Sequence, residues 1–147
     1  MSDETANTPK FRILLVEDND AYRKVVKKAM ELEGYTVYEA ENGLRGLEIV
    51  RAEKPDVVLC DVYMPVMDGM TMLKQFKQDQ TLLGVPIVML TNVQEELENA
   101  VKLGAEEALL KSSLTPHQLI EVCKKHLSNK SAPTPVAPTE VTNPPQA

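Results

Sequence analysis

Between residues 10 and 128, short runs of consecutive apolar residues alternate with longer stretches in which apolar positions recur every three or four. The runs begin near Phe11, Tyr35, Asp56, Pro86 and Glu107, and a helix-spaced stretch follows each; the pattern predicts five strand–helix units. In the first helix, Tyr22, Val25, Val26, Ala29 and Met30 form the stripe expected to face the core, with Asn19 or Asp18 placed to cap its start and Gly34 to end it. Asn42 precedes a second stripe of Leu44, Leu47 and Val50. Thr115-Pro116 opens a last helix carrying Leu119, Ile120, Cys123 and Leu127.

The strand runs Ile13-Leu14-Leu15-Val16, Val57-Val58-Leu59-Cys60 and Ile87-Val88-Met89-Leu90 do not alternate with polar residues, so both faces must be covered. Doubly buried strands alternating with helices predict an α/β fold: a doubly wound, five-stranded parallel sheet flanked by five helices. Five units are too few for an eight-unit barrel.

The ends differ in composition. Residues 1–9 read as a short polar arm, and five of the ten prolines fall within Ser128–Ala147 among Ser, Thr, Ala and Asn. That composition cannot offset ordering entropy, so residues 129–147 are expected to be a disordered, Pro-rich tail and residues 10–128 the folded domain. A formal charge of −6 offers no basic field for a phosphate backbone, which argues against direct nucleic-acid binding. Cys60 and Cys123 lack metal-ligand spacing and are expected to be reduced core residues. No apolar leader or membrane-length run is evident, and a cytoplasmic location with no membrane partner is expected.

Polar residues interrupt the apolar runs at one kind of place. Glu17-Asp18 follows strand one, Asp61 ends strand three, Thr91 strand four, and Lys111 follows strand five. In an open parallel sheet this carboxyl edge is where ligands bind. If the strand order is 2-1-3-4-5, strands one and three are neighbours and Glu17, Asp18 and Asp61 converge. Three crowded carboxylates call for a hard divalent cation, and Mg²⁺ suits such a site. Lys111 and the Thr91 hydroxyl are placed to bind phosphoryl oxygens.

The segment Asp61-Val62-Tyr63-Met64-Pro65-Val66-Met67-Asp68-Gly69 makes this specific when taken with Val16-Glu17-Asp18-Asn19, Met89-Leu90-Thr91 and Gly104-Ala105-Glu106-Glu107-Ala108-Leu109-Leu110-Lys111. Together these motifs, spanning residues 10–127, resemble the receiver domain of two-component response regulators. The resemblance implies the flavodoxin-like sheet order 2-1-3-4-5 and a role for each residue. Asp61 would be the phosphoacceptor. Glu17, Asp18, Asp61 and the Tyr63 backbone carbonyl would hold Mg²⁺, while Thr91 and Lys111 would take phosphoryl oxygens. The donor would be a phosphohistidine on a sensor histidine kinase or phosphotransfer protein, and a downstream protein would read a change on the face of helix four, strand five and helix five. The domain would be a phosphoacceptor signalling module, not an enzyme acting on a separate substrate.

Three positions depart from the family pattern. Ala108 stands where receivers usually carry an aromatic switch residue, Ser112 follows the lysine where a proline in a cis peptide is typical, and Asn92 replaces a small residue after the threonine. Ala108 and Ser112 point toward the alternative of a pseudo-receiver binding module, and a receiver excised from a hybrid kinase or larger regulator is the other. A haloacid-dehalogenase-type phosphatase would want a second Asp where Tyr63 stands, and a flavodoxin would need a phosphate loop where Glu17-Asp18-Asn19-Asp20 repels anions. Kinase docking is expected at Asn19, Arg23 and Lys27 with the loop from Ser112 to Leu114. His117 and His126 are expected on the surface, and the methionines at 64, 67, 70 and 72 in packing roles.

Overall fold

The computed structural model describes residues 10–128; the expected polar arm (1–9) and Pro-rich tail (129–147) lie outside the described residues. Five strands, β1 (Arg12–Val16), β2 (Thr36–Ala40), β3 (Val57–Asp61), β4 (Ile87–Thr91) and β5 (Glu107–Leu110), alternate with helices α1 (Asp20–Leu32), α2 (Gly43–Glu53), α3 (Gly69–Gln78), α4 (Glu96–Lys102) and α5 (Pro116–Leu127). All strand pairs are parallel, in the order β2-β1-β3-β4-β5.

Every residue of β1, β3 and β4 is buried, as unbroken apolar runs require. Alternate side chains feed two cores. Ile13, Leu15, Val57, Leu59, Val88 and Leu90 meet Val26 and Met30 of α1 and Leu119, Ile120 and Cys123 of α5. Leu14, Val16, Val58, Cys60, Ile87 and Met89 meet Leu47 and Val50 of α2, Met72, Leu73 and Phe76 of α3, and Ala100 of α4. Burial of this kind is worth roughly 1.5 to 3 kcal/mol per large aliphatic side chain. Both thiols are free and buried, and burial pushes Cys123 up to about 12.

The helix boundaries follow local chemistry. Asn19, Asn42, Asp68 and Thr115 cap α1, α2, α3 and α5 by accepting from backbone N–H groups, and Thr115 forms a reciprocal capping box with Gln118. Gly34 follows α1 at φ +98°, a left-handed turn that Gly adopts without penalty.

Three expectations are corrected. Val25 and Leu44 are exposed, while the other expected stripe residues hold: Val26 and Met30 are buried with Tyr22 and Ala29 packed against the same core, Leu47 and Val50 are buried in α2, and Arg23, Gly43 and Gly46 join them. His126 is not a surface residue: its ring is half-buried, with Nε2 2.9 Å from Glu107 Oε1 across to β5. Arg23 is only 8% exposed and so offers no face for a docking kinase.

Candidate functional site

Strand register assembles the site. Val16 pairs with Cys60, which sets Glu17 beside Asp61; Asp61 pairs with Leu90, and Thr91 with Leu110, which sets Lys111 at the same edge. One carboxylate oxygen from each of Glu17, Asp18 and Asp61 lies within 4.8 Å of the others. Glu17 and Asp61 are buried and Asp18 is exposed. Such a cluster of acidic oxygens, open to water on the Asp18 side, matches the hard-oxygen chemistry of Mg²⁺.

Electrostatics supports that fit. Burial, reinforced by the negative charge of Glu17, raises the Asp61 carboxyl from 3.8 to about 6, against the opposing pull of Lys111. Lys111 Nζ lies 2.6 Å from Glu17 Oε1 and 3.4 Å from Asp61 Oδ1. Burial disfavours the charge of Lys111, but the two carboxylates outweigh it and raise its pKa. One ammonium is thus shared between two buried acids that also lie beside Asp18, an arrangement short of positive charge.

Lys111 also stands 4.5 Å from the centroid of the Tyr22 ring, a cation–π contact worth about 0.5 to 2 kcal/mol. Tyr22 belonged to the expected core stripe of α1. Its ring packs against that core and also forms a wall of the site, which its phase on the first turn of a helix leaving the carboxyl edge foreshadows. Thr91 is buried at the end of β4, and its Oγ1 accepts from Val93 N at 3.1 Å. The hydroxyl closes a local turn and does not cap α4, whose start has no side-chain cap.

The loop after β3 is built from close backbone contacts. Gly69 N donates to Val62 O and Val62 N to Leu90 O, which binds the loop back onto the sheet. Asp68 accepts from Thr71 N at 2.8 Å. Tyr63 points outward, and its hydroxyl donates to Glu96 Oε2 at 2.8 Å, tying the loop to α4. Val66, 78% exposed, sits at φ +69°, with Met67 N donating to Pro65 O across it. A β-branched residue is strained in this left-handed region, by roughly 1 to 2 kcal/mol. With Met67 N bonded to Pro65 O across it, Val66 occupies a strained γ-turn, and Val66→Gly, which has no Cβ, is therefore expected to raise stability by up to about 1 kcal/mol in urea denaturation; an unaltered or lower midpoint would contradict the strain.

Two departures from the receiver pattern turn out to be partners. There is no cis peptide bond among the described residues, so Lys111-Ser112 is trans, and Lys111–Ser113 forms a 3₁₀ turn. The Ser112 N–H, a donor proline would lack, is accepted by Asn92 Oδ1 at 2.8 Å. The strand-end loops carrying Thr91 and Lys111 are thereby joined. Ala108 is partly buried and packs against the core on the α2–α4 side.

Comparison with known proteins places this geometry in a family. The model of the response regulator receiver domain matches residues 13–124. The polar-differentiation response regulator DivK of Brucella anthropi is 28% identical over 118 residues, covering 80% of this chain and 96% of DivK. Among solved structures, the chemotaxis response regulator CheY4 of Vibrio cholerae superposes with a TM-score of 0.74 at 28% identity, covering 81% of this chain and all of CheY4. The receiver domain of the sensor histidine kinase PA1611 from Pseudomonas aeruginosa, which has magnesium coordinated in its active-site cleft, gives 0.74 at 25% identity over 82% of this chain and 99% of that domain.

Proposed function

The chain belongs to the response regulator receiver domain family, and from that premise we propose that it accepts a phosphoryl group on Asp61 from the phosphohistidine of a sensor histidine kinase or phosphotransfer protein. The observation that carries this reading is the meeting of Glu17, Asp18 and Asp61 within 4.8 Å beside Lys111. An Asp61 carboxylate oxygen attacks phosphorus, the bond from phosphorus to the donor imidazole nitrogen breaks, and an acyl phosphate remains on Asp61. Glu17, Asp18, Asp61 and the Tyr63 carbonyl would hold Mg²⁺. When bound, the ion offsets the crowded negative charge and polarises phosphoryl oxygens.

Lys111 and Thr91 act on the transferred group. Lys111 already sits between Glu17 and Asp61 and supplies a compact positive charge for one phosphoryl oxygen. The Thr91 hydroxyl, at the end of β4, accepts from Val93 N and still has its O–H to donate to another oxygen; turning toward the phosphoryl group exchanges one placement of the Val93 turn for another. That exchange disturbs the loop leading into α4, and the bond from Ser112 to Asn92 carries it to the start of α5. The signal then reaches a downstream protein on the face of α4, β5 and α5 without an aromatic reporter at Ala108. Such a module works in the cytoplasm as a signalling domain. Among the described residues no helix is long and apolar enough to cross a membrane.

The test is incubation of the full chain with acetyl phosphate, with and without Mg²⁺, read by intact-protein mass. A Mg²⁺-dependent, hydroxylamine-labile adduct mapping to Asp61 is expected. No adduct under any magnesium concentration would leave a receiver fold used as an unphosphorylated binding module.

A further inference from the structure

Arg23 lies among the apolar residues of the α1 core stripe, and all three of its nitrogen positions are engaged. Nη1 donates to the Glu17 backbone carbonyl at 2.7 Å, Nε to Glu39 Oε1 at 2.9 Å, and Nη2 to Asp20 Oδ1 at 2.6 Å. Glu39, on the outermost strand β2, is in turn held by Lys27 Nζ at 2.8 Å. On its other side, the Glu17 N–H donates to Ala40 O at 2.9 Å. Both backbone polar groups of Glu17, which follows β1, are thus fixed by other elements, α1 and β2.

The consequence is geometric. The Glu17 carbonyl lies in the rigid peptide plane that joins Glu17 to Asp18. Whatever orients that oxygen sets the relative aim of two of the three clustered carboxylates. We propose that Arg23 is a positioning residue for the cation-binding turn, with Glu39 as the anchor that aims its guanidinium. The planar fork reaches three acceptors on three segments at once, a task a lysine ammonium cannot perform with the same geometry. The inference deepens the proposed role of Glu17 and Asp18 and rests on it.

The experiment measures the Mg²⁺ dissociation constant of the full chain by amide-shift titration at Asp18 and Asn19, alongside thermal melts. The variants are Arg23→Lys, Glu39→Ala and the double substitution. Arg23→Lys is expected to weaken Mg²⁺ binding roughly tenfold, the scale for groups that orient metal ligands. Adduct formation from acetyl phosphate should slow at limiting Mg²⁺ and recover at saturating Mg²⁺. Glu39→Ala should weaken binding less, and should add nothing in the Arg23→Lys background because it acts through Arg23. A lowered melting temperature with an unaltered dissociation constant would overturn the proposal, as would full additivity of the two substitutions. Should Arg23→Lys fail to fold, Glu39→Ala decides alone, an unchanged constant counting against the proposal. Absence of Mg²⁺ binding by the wild type would overturn the site reading and this inference with it, whereas wild-type binding with unaffected variants would overturn only the inference.

Discussion

Asp61→Asn is expected to abolish phosphoryl uptake and, in magnesium-free solution near neutral pH, to make the protein more stable than wild type. The first effect follows from removing the nucleophilic carboxylate, for which an amide is no substitute. The second follows from burial, which together with the Glu17 charge lifts the Asp61 carboxyl from 3.8 to about 6. A carboxyl raised in the folded state binds its proton more tightly there than in the unfolded chain. Its stabilising contribution is complete below pH 3.8 and is lost as pH rises through about 6. Across that window the loss amounts to as much as about 3 kcal/mol, at 1.36 kcal/mol per pH unit.

Urea denaturation from pH 4 to pH 8 without divalent ions would therefore show wild-type stability carrying a falling component that Asp61→Asn lacks. Adding Mg²⁺ should restore the wild type and do much less for the variant, since ligand binding to the native state stabilises by mass action. Parallel pH curves for the two proteins would refute the electrostatic account of the site. An Asn variant that still acquires the adduct would refute Asp61 as acceptor.

Gly69→Ala is expected to cost about 3 kcal/mol of stability, at the upper end for overpacking, and to damage phosphoryl uptake in whatever fraction folds. A Cβ on Gly69 would overlap the backbone oxygen of Asp61 and come within 3.0 Å of the Asp61 carbonyl carbon and of Met89 Cε. The methionine tip can move. The Asp61 carbonyl cannot move without displacing the residue proposed as nucleophile, and Gly69 N is itself bonded to Val62 O at 2.7 Å. The constraint is space, not backbone conformation, since Gly69 is not among the residues at positive φ. Denaturation midpoints and adduct formation from acetyl phosphate on the same preparation would check both halves. A wild-type midpoint with wild-type uptake would mean the β3–α3 junction relaxes freely.

Much of the site was legible because its acidic and basic residues sit where apolar runs stop. Asp61 and Thr91 end β3 and β4, and Glu17 and Lys111 follow β1 and β5. Polar interruption of a doubly buried strand is a one-dimensional signal. What that signal missed shares a different trait: each depends on partners from distant segments. Arg23 reads as a surface cation until Glu39 and the Glu17 carbonyl are brought to it. His126 reads as solvated until β5 delivers Glu107. Asn92 and Ser112 read as two separate departures from a family pattern, yet they are acceptor and donor of one hydrogen bond across two loops.

The local string alone determined the alternation of strands and helices, the caps at Asn42 and Thr115, and the carboxyl edge as the site, because hydrophobic period and capping act over a few residues. The tertiary structure decided that Arg23 and not Val25 joins the buried side of α1, where the Arg23 charge is placed, and how Lys111 is shared between Glu17 and Asp61. Those outcomes depend on the free energy of placing charge out of water, which only the full set of neighbours defines.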